Sequence, residues 1–123
     1  MSQTALGARQ RAFSGVYPIL YAFYDAKGRL DDGLMRLQVE KCIGAGAHGI
    51  AVLGLVTEVH KLDVNERRHL VQVVGRAIDG RVPYAVTVGE PSVQGQIEFS
   101  HMAQDNGASW LILQPPSIKG YSE

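Results

Sequence analysis

The sequence is poor in the features that mark several large classes of protein. Its single cysteine, Cys42, excludes a disulfide framework or a cluster of thiolate metal ligands. No stretch approaches the ~20 consecutive apolar residues that span a bilayer, and the opening residues contain no apolar core of signal-peptide length. These absences predict a cytoplasmic protein without a membrane partner.

An excess of charge of one sign is also lacking. Twelve Lys and Arg residues balance 12 Asp and Glu residues, and the chain contains no basic cluster. Because nucleic acids are held by concentrated positive charge, no nucleic-acid partner is expected. Apolar residues make up 46% of the sequence and charged residues 20%, which is typical of a globular domain.

What the sequence does contain is a regular alternation of short apolar runs and helical patterns. The runs lie at residues 16–21, 49–53, 82–88 and 110–113. Each has the composition of a parallel strand that is buried on both faces. Between them, helix starts are indicated by Asp31 or Asp32, by Asp63 with Glu66 in a capping box, and by Ser92.

The apolar positions of these helices predict which side of each one faces the core. The predicted inward residues are Met35, Val39, Cys42 and Ile43 of the first helix, Leu70, Val71, Val74, Ala77 and Ile78 of the second, and Ile97, Met102 and Ala103 of the third.

Two architectures are built from consecutive βα units, the doubly wound sheet and the (β/α)8 TIM barrel. A doubly wound nucleotide binder carries a glycine fingerprint after its first strand, and this sequence has none. We therefore predict an α/β fold in which about four βα units form the N-terminal half of a TIM barrel. A whole barrel needs about 250 residues, so residues 1–123 are interpreted as a single partial barrel domain, truncated before the fifth strand.

Reacting groups in TIM barrels come from the carboxyl ends of the strands. The corresponding windows here are residues 21–23, 54–58, 89–91 and 114–117, of which 54–58 is the most informative. Gly54 would let the chain turn tightly, and the N–H groups after it would form a nest for a small carboxylate or phosphate. A tight turn in which Gly54 serves the backbone alone explains the same residues.

Residues 49–67, with the sequence GIAVLGLVTEVHKLDVNER, resemble the dihydrodipicolinate synthase/N-acetylneuraminate lyase family. Members of that family read roughly G-[LIV]-x-[VP]-x-G-[TS]-[TS]-G-E-x-x-x-L-[ST]-x-x-E-R here. The likeness extends to the first helix after Leu30-Asp31, to the strand at 82–89 and to residues 107–116. Together these matches cover about 100 residues in order.

The resemblance implies a class I (Schiff-base) lyase or aldolase that acts on pyruvate or a related 2-oxo acid. It also implies a homo-oligomer without metal or organic cofactor. In that family a lysine on the sixth strand forms the Schiff base and a tyrosine after the fifth shuttles protons, and both regions fall beyond residue 123. None of the four lysines present is expected in a desolvated pocket, so no catalytic residue is assigned.

The same resemblance places the substrate-binding positions at Leu55, Val56, Thr57 and Glu58. Leu55 and Val56 occupy the places of the family's paired hydroxyl residues, Thr57 occupies that of its glycine, and Glu58 is retained. The amides of Val56 and Thr57 would then hold the carboxylate, Thr57 would supply a displaced hydroxyl, and Glu58 would hold the loop. Two alternatives stay open: a non-catalytic relative that binds a small carboxylate or a partner subunit, and a half-barrel that self-associates.

Other polar residues are given structural interpretations. Glu90 is expected to be an exposed loop carboxylate, and Arg67 and Arg68 a solvated helix face. The Tyr21 ring would either face the barrel mouth or pack at the barrel end. The four histidines lack the spacing of metal ligands.

Overall fold

The computed structural model describes residues 14–115, which form three helices around a parallel sheet. The elements in chain order are α1 (Asp32–Gly44), β1 (Ile50–Val52), two short 3-10 segments (Leu55–Thr57 and Val59–Lys61), α2 (Val64–Ile78), β2 (Tyr84–Val88), α3 (Val93–Asp105) and β3 (Trp110–Leu113). The strands pair in the order β1-β2-β3, all parallel. This arrangement confirms the predicted α/β fold class.

The helices begin where the sequence predicted. Asp31 caps α1 by accepting a hydrogen bond from the Leu34 N–H, and Ser92 caps α3 in the same way from Gly95. Asp63 and Glu66 form a reciprocal capping box at the start of α2. These caps are local interactions, which is why the sequence pattern alone identified them.

The predicted strand at 16–21 does not form a full strand in the structure. It lies beside β1, but as one isolated parallel bridge between Ile19 and Ala51. The Leu20 N–H donates to Ala51 O and the Ala51 N–H donates to Pro18 O, both at 2.9 Å. Pro18 has no N–H with which to extend this ladder toward its amino end. We refer to residues 16–21 as the edge segment.

β1 and β2 present large side chains to the helices and small ones to the opposite, inner face of the sheet. The Tyr84 hydroxyl donates to Val71 O in α2 at 2.9 Å, which fixes the helix-facing side. The strand register then puts Ile50 and Val86 on that side and Ala51 and Ala85 on the inner face. All of these residues are buried, as expected for parallel strands covered on both faces.

The helix faces agree with the predicted pattern in α1 and α2 and differ in α3. Met35 and Val39 of α1 are fully buried, and the predicted residues of α2 lie in or against the core. In α3 the buried residues are Phe99 and Ala103, whereas Ile97 is 47% exposed. The prediction for Ile97 was therefore wrong, because the aromatic ring two positions later takes the inward direction.

The close approach of α2 and α3 depends on Gly75. A Cβ atom at this position would lie 2.2 Å from the backbone oxygen of Asn106, at the carboxyl end of α3. We predict that Gly75→Ala destabilises the protein by about 1–2 kcal/mol, because overpacking outweighs the ~1 kcal/mol gained in helix propensity. Urea unfolding would measure this change.

Gly44, at the end of α1, is the matched control, because a Cβ there meets nothing within 4 Å. Gly44→Ala should leave the free energy of unfolding unchanged or raise it by up to about 1 kcal/mol. Equal stabilisation by both substitutions would contradict the described helix packing.

The buried hydroxyl of Tyr84 predicts a loss of stability at alkaline pH. Burial raises the pKa of Tyr84 well above its ordinary value, so the folded state keeps a proton that the unfolded chain loses above about pH 10. The unfolded state then binds fewer protons, and the free energy of unfolding falls by up to about 1.4 kcal/mol per pH unit. Unfolding from pH 9 to 11 should show a shallower decline in Tyr84→Phe than in the wild type, and identical slopes would contradict the prediction.

Candidate functional site

A cavity of 310 Å³ opens at the carboxyl ends of the three strands. Its walls come from Leu53 after β1, from Thr87, Gly89 and Glu90 at the end of β2, and from Gln114 after β3. Gly89, Glu90 and Gln114 fall in two of the four windows expected from the sequence, whereas none of residues 54–58 lines the cavity. In the last window, Pro116 and Ser117 lie outside the described residues.

The turn after β1 contains two residues in the left-handed region of backbone conformation. Leu53 has φ of 65° and Glu58 has φ of 56°, although neither is glycine. Gly54, which was expected to make the turn, has an ordinary φ of −81°. Its lack of a side chain serves packing instead, because a Cβ there would come within 3.2 Å of the Ile19 side chain. The left-handed conformations of Leu53 and Glu58 cost about 1–3 kcal/mol per residue, and backbone strain of this kind is concentrated at functional sites.

Thr57 anchors this turn. Its side chain is buried, and its hydroxyl accepts a hydrogen bond from the Leu53 N–H at 3.1 Å and donates to Leu20 O in the edge segment. The Thr57 N–H donates to Gly54 O at 3.1 Å. Both the amide and the hydroxyl proton of Thr57 therefore have acceptors inside the protein.

The amides of Leu55 and Val56 differ from that of Thr57. Neither N–H donates to any acceptor within residues 14–115, as expected at the start of a short helix. The Leu55 side chain is 79% exposed and that of Val56 is 39% exposed, so this part of the turn is open to solvent. The two residues present backbone donors and apolar side chains at the same place.

Glu58 lies at the outer end of the turn. Its carboxylate pairs with Lys61 Nζ at 3.0 Å, and both side chains are more than half exposed. The pKa of Tyr24 is raised above its ordinary value, chiefly by burial and further by the negative charges of Glu66 and Glu58. The Glu58 side chain thus pairs locally with Lys61 and is not part of the cavity lining.

The structure corrects the expectation for Arg67 and Glu90. The Arg67 Nη2 donates to Glu90 Oε1 at 2.6 Å, and the two side chains are only 19% and 12% exposed. Arg67 Nη1 also donates to Leu62 O at 2.8 Å. The pair lines the cavity and ties the start of α2 to the loop after β2. No local sequence pattern indicates this pair, because the two residues are 23 positions apart.

The remaining polar groups near the strand ends lie on the surface. The Tyr21 ring is 58% exposed and lies beside that of Phe23, with 6.2 Å between ring centroids. Lys27, Lys41 and Lys61 are all exposed, while Lys119 lies outside the described residues. In residues 14–115 no His, Cys, Asp and Glu side chains are grouped as metal ligands. No helix of that region is long and apolar enough to cross a bilayer.

Consecutive parallel strands with helices between them and a cavity at the carboxyl ends define the first part of a parallel β/α barrel. The chain matches the sequence profile of the dihydrodipicolinate synthetase family over residues 12–119. The chain therefore belongs to the dihydrodipicolinate synthetase family, as its sequence pattern indicated.

Relatives with assigned activities are synthases and aldolases. The chain is 31% identical over 109 residues to the 4-hydroxy-tetrahydrodipicolinate synthase of Salinibacter ruber, covering 89% of this chain and 36% of that protein. It is 29% identical over 106 residues to the probable 2-dehydro-3-deoxy-D-pentonate aldolase YjhH of Escherichia coli, covering 86% and 35%.

Solved structures of the family have the same fold. The crystal structure of YagE from E. coli in complex with pyruvate superposes with a TM-score of 0.81 at 28% identity, covering 88% of this chain and 37% of YagE. A dihydrodipicolinate synthetase-like structure from Pseudomonas aeruginosa gives 0.82 at 25% identity, covering 88% and 37%. The chain thus spans little more than a third of the length of the relatives that it matches.

The buried pair at the cavity predicts a difference between two glutamates. Glu90→Gln should lower the free energy of unfolding by about 2 kcal/mol, because it leaves the Arg67 charge largely buried without its partner. Glu58→Gln, which breaks the exposed pair with Lys61, should change it by less than about 1 kcal/mol. Urea unfolding of both variants gives the comparison, and equal effects would contradict the burial described for Arg67 and Glu90.

Proposed function

We propose that this chain contributes the first strands of a class I, Schiff-base-forming lyase or aldolase that acts on pyruvate or a related 2-oxo acid. The turn after β1 would hold the carboxylate of that acid. The observation that carries this proposal is the pair of open amides at Leu55 and Val56, at the carboxyl end of a buried strand. Backbone N–H groups left without partners at the start of a helical turn attract a small anion.

The proposal divides the expected site residues into two kinds. Leu55 and Val56 would bind the carboxylate through main-chain donors. Thr57 would act from inside the turn, because its hydroxyl proton is directed to Leu20 O, and Glu58 would hold the outer end of the loop. The sequence pattern assigned carboxylate binding to the amides of Val56 and Thr57. We assign it to the amides of Leu55 and Val56, since the Thr57 N–H already donates to Gly54 O.

The chemistry of the class is covalent. A lysine amine adds to the ketone of the 2-oxo acid and water leaves, giving an imine that stabilises an adjacent carbanion. That lysine must be desolvated to react as a free amine, and the three lysines of residues 14–115 are exposed. The proposal therefore assigns it to no described residue. It requires no metal or organic cofactor.

A second candidate is a relative that binds a small carboxylate or a partner subunit without catalysis. The exposed apolar side chains of Leu55 and Val56 favour it, because they cannot donate hydrogen bonds to a reacting group. Binding to another subunit would cover the apolar surface of β3, where Leu111, Ile112 and Leu113 are between 40% and 67% exposed. A homo-oligomer, a self-associating half-barrel and a cytoplasmic location remain predictions.

Borohydride reduction of the complete natural protein in the presence of pyruvate distinguishes these candidates. Hydride converts the imine into a stable secondary amine, so a Schiff-base enzyme should gain one covalent adduct per chain by mass spectrometry. Lactate, which has no ketone, is the control and should give no adduct. Carboxylate binding without an adduct would favour the non-catalytic relative.

The role of the Leu55 amide can be tested by removing that N–H alone. Leu55 is the first residue of its 3-10 segment, and Gly54 before it is extended, so proline is compatible with the backbone. Leu55→Pro should weaken pyruvate binding by roughly 10- to 150-fold, the loss of one hydrogen bond to a charged group. Leu55→Ala keeps the N–H and should bind within about twofold of the wild type, and equal affinities of the two variants would contradict the proposed site.

A further inference from the structure

The hydrogen bonds between the edge segment and β1 follow the parallel pattern up to one point. Ala51 N–H donates to Pro18 O, and Leu20 N–H donates to Ala51 O. In a parallel ladder the next bond runs from the Leu53 N–H to Leu20 O. The structure has the Thr57 hydroxyl at this place, between that donor and that acceptor.

The Thr57 hydroxyl therefore replaces one rung of the sheet. The Leu53 N–H can only donate and Leu20 O can only accept, so the hydroxyl proton must be directed to Leu20 O. Thr57 is 1% exposed, and its two hydrogen bonds connect the end of β1 to the edge segment. Where β1 and the edge segment separate, the Thr57 hydroxyl supplies the hydrogen-bond partners that the Leu53 N–H and Leu20 O no longer give each other.

This interaction fixes the turn at both of its ends. Leu53, held through its N–H, has the left-handed φ of 65°, and Thr57 is four residues further on. The open amides of Leu55 and Val56 lie between these two fixed points. A ligand that accepts from them meets donors whose direction is set before binding, which reduces the entropy lost on association.

We propose that Thr57 is a positioning residue that orients the Leu55 and Val56 amides toward a bound carboxylate through its hydrogen bonds to Leu53 and Leu20. This inference rests on the proposed carboxylate site. It adds that affinity at the site is governed by a side chain that does not touch the ligand. The exposed apolar side chains at 55 and 56 make that dependence strong, because no side-chain hydroxyl is present there to compensate for misdirected amides.

The test compares substitutions of Thr57 in the complete natural protein. Thr57→Val keeps the shape and removes the hydroxyl, and it should raise the Kd for pyruvate at least about tenfold. Thr57→Ser keeps the hydroxyl and should restore binding to within about twofold of the wild type. Amide hydrogen exchange should show the Leu53 N–H protected in the wild type and in the serine variant, and exposed in the valine variant.

Asp63→Ala provides a matched control for stability. It removes the cap of α2 and should destabilise the protein by about 1 kcal/mol without moving residues 53–57. A Kd for pyruvate equal to that of the wild type in this variant would separate positioning from general destabilisation. If Thr57→Val does not fold, Thr57→Cys tests the same step, because a thiol is a weaker donor and acceptor and should give an intermediate Kd.

The outcomes separate the two proposals. Wild-type binding of pyruvate, with weakened binding in the valine variant and recovery in the serine variant, supports the positioning role. Unchanged Kd in Thr57→Val, despite exposure of the Leu53 amide to exchange, overturns the positioning role and leaves the carboxylate site standing. If the wild type binds neither pyruvate nor another 2-oxo acid, the proposed function fails and the positioning role falls with it.

Discussion

The two-sided burial of β1 and β2 is the constraint on which the rest of this structure depends. Every residue of these strands is buried, so each must fit against helices on one side and against the inner face on the other. Tyr84, Ile50 and Val86 pack on the side of the helices, while Ala51 and Ala85 place only small side chains on the inner face. Because both faces are covered, the strands can expose polar groups only at their ends, and the cavity lies there.

The helices and their starts could be predicted because they depend on residues close together in sequence. The capping box of Asp63 and Glu66 spans three positions, and the buried stripe of α1 repeats at helical spacing. The edge segment was harder to predict, since its apolar composition suits a strand while Pro18 prevents a full ladder. In α3 the pattern pointed to Ile97, whereas the structure packs Phe99 against the core and leaves Ile97 exposed.

The turn after β1 was predicted at its place in the sequence, but its long-range contacts were not. The family pattern placed the turn at residues 54–58, but Thr57 contacts Leu20 across 37 residues of sequence, and no local rule indicates that contact. The pairing of Arg67 with Glu90 could not be predicted either, because the two residues are 23 positions apart. The left-handed conformation of Leu53 could not be foreseen either, because leucine disfavours it and Gly54 beside it accepts it readily. Local sequence thus indicates where the chain turns, while distant partners decide which of its polar atoms are hydrogen-bonded inside the protein.

The pairing of each strand with the next one along the chain has a consequence for synthesis. Such a sheet can be extended in the order in which the ribosome delivers it, because no strand must wait for a distant partner. Each new strand arrives with the helix that covers the preceding pair. At every stage the latest strand is an apolar edge, as residues 111–113 are here, and it remains a surface for mispairing until its neighbour docks. The rate at which each strand is synthesised after the one before it therefore affects how much mispairing occurs during folding.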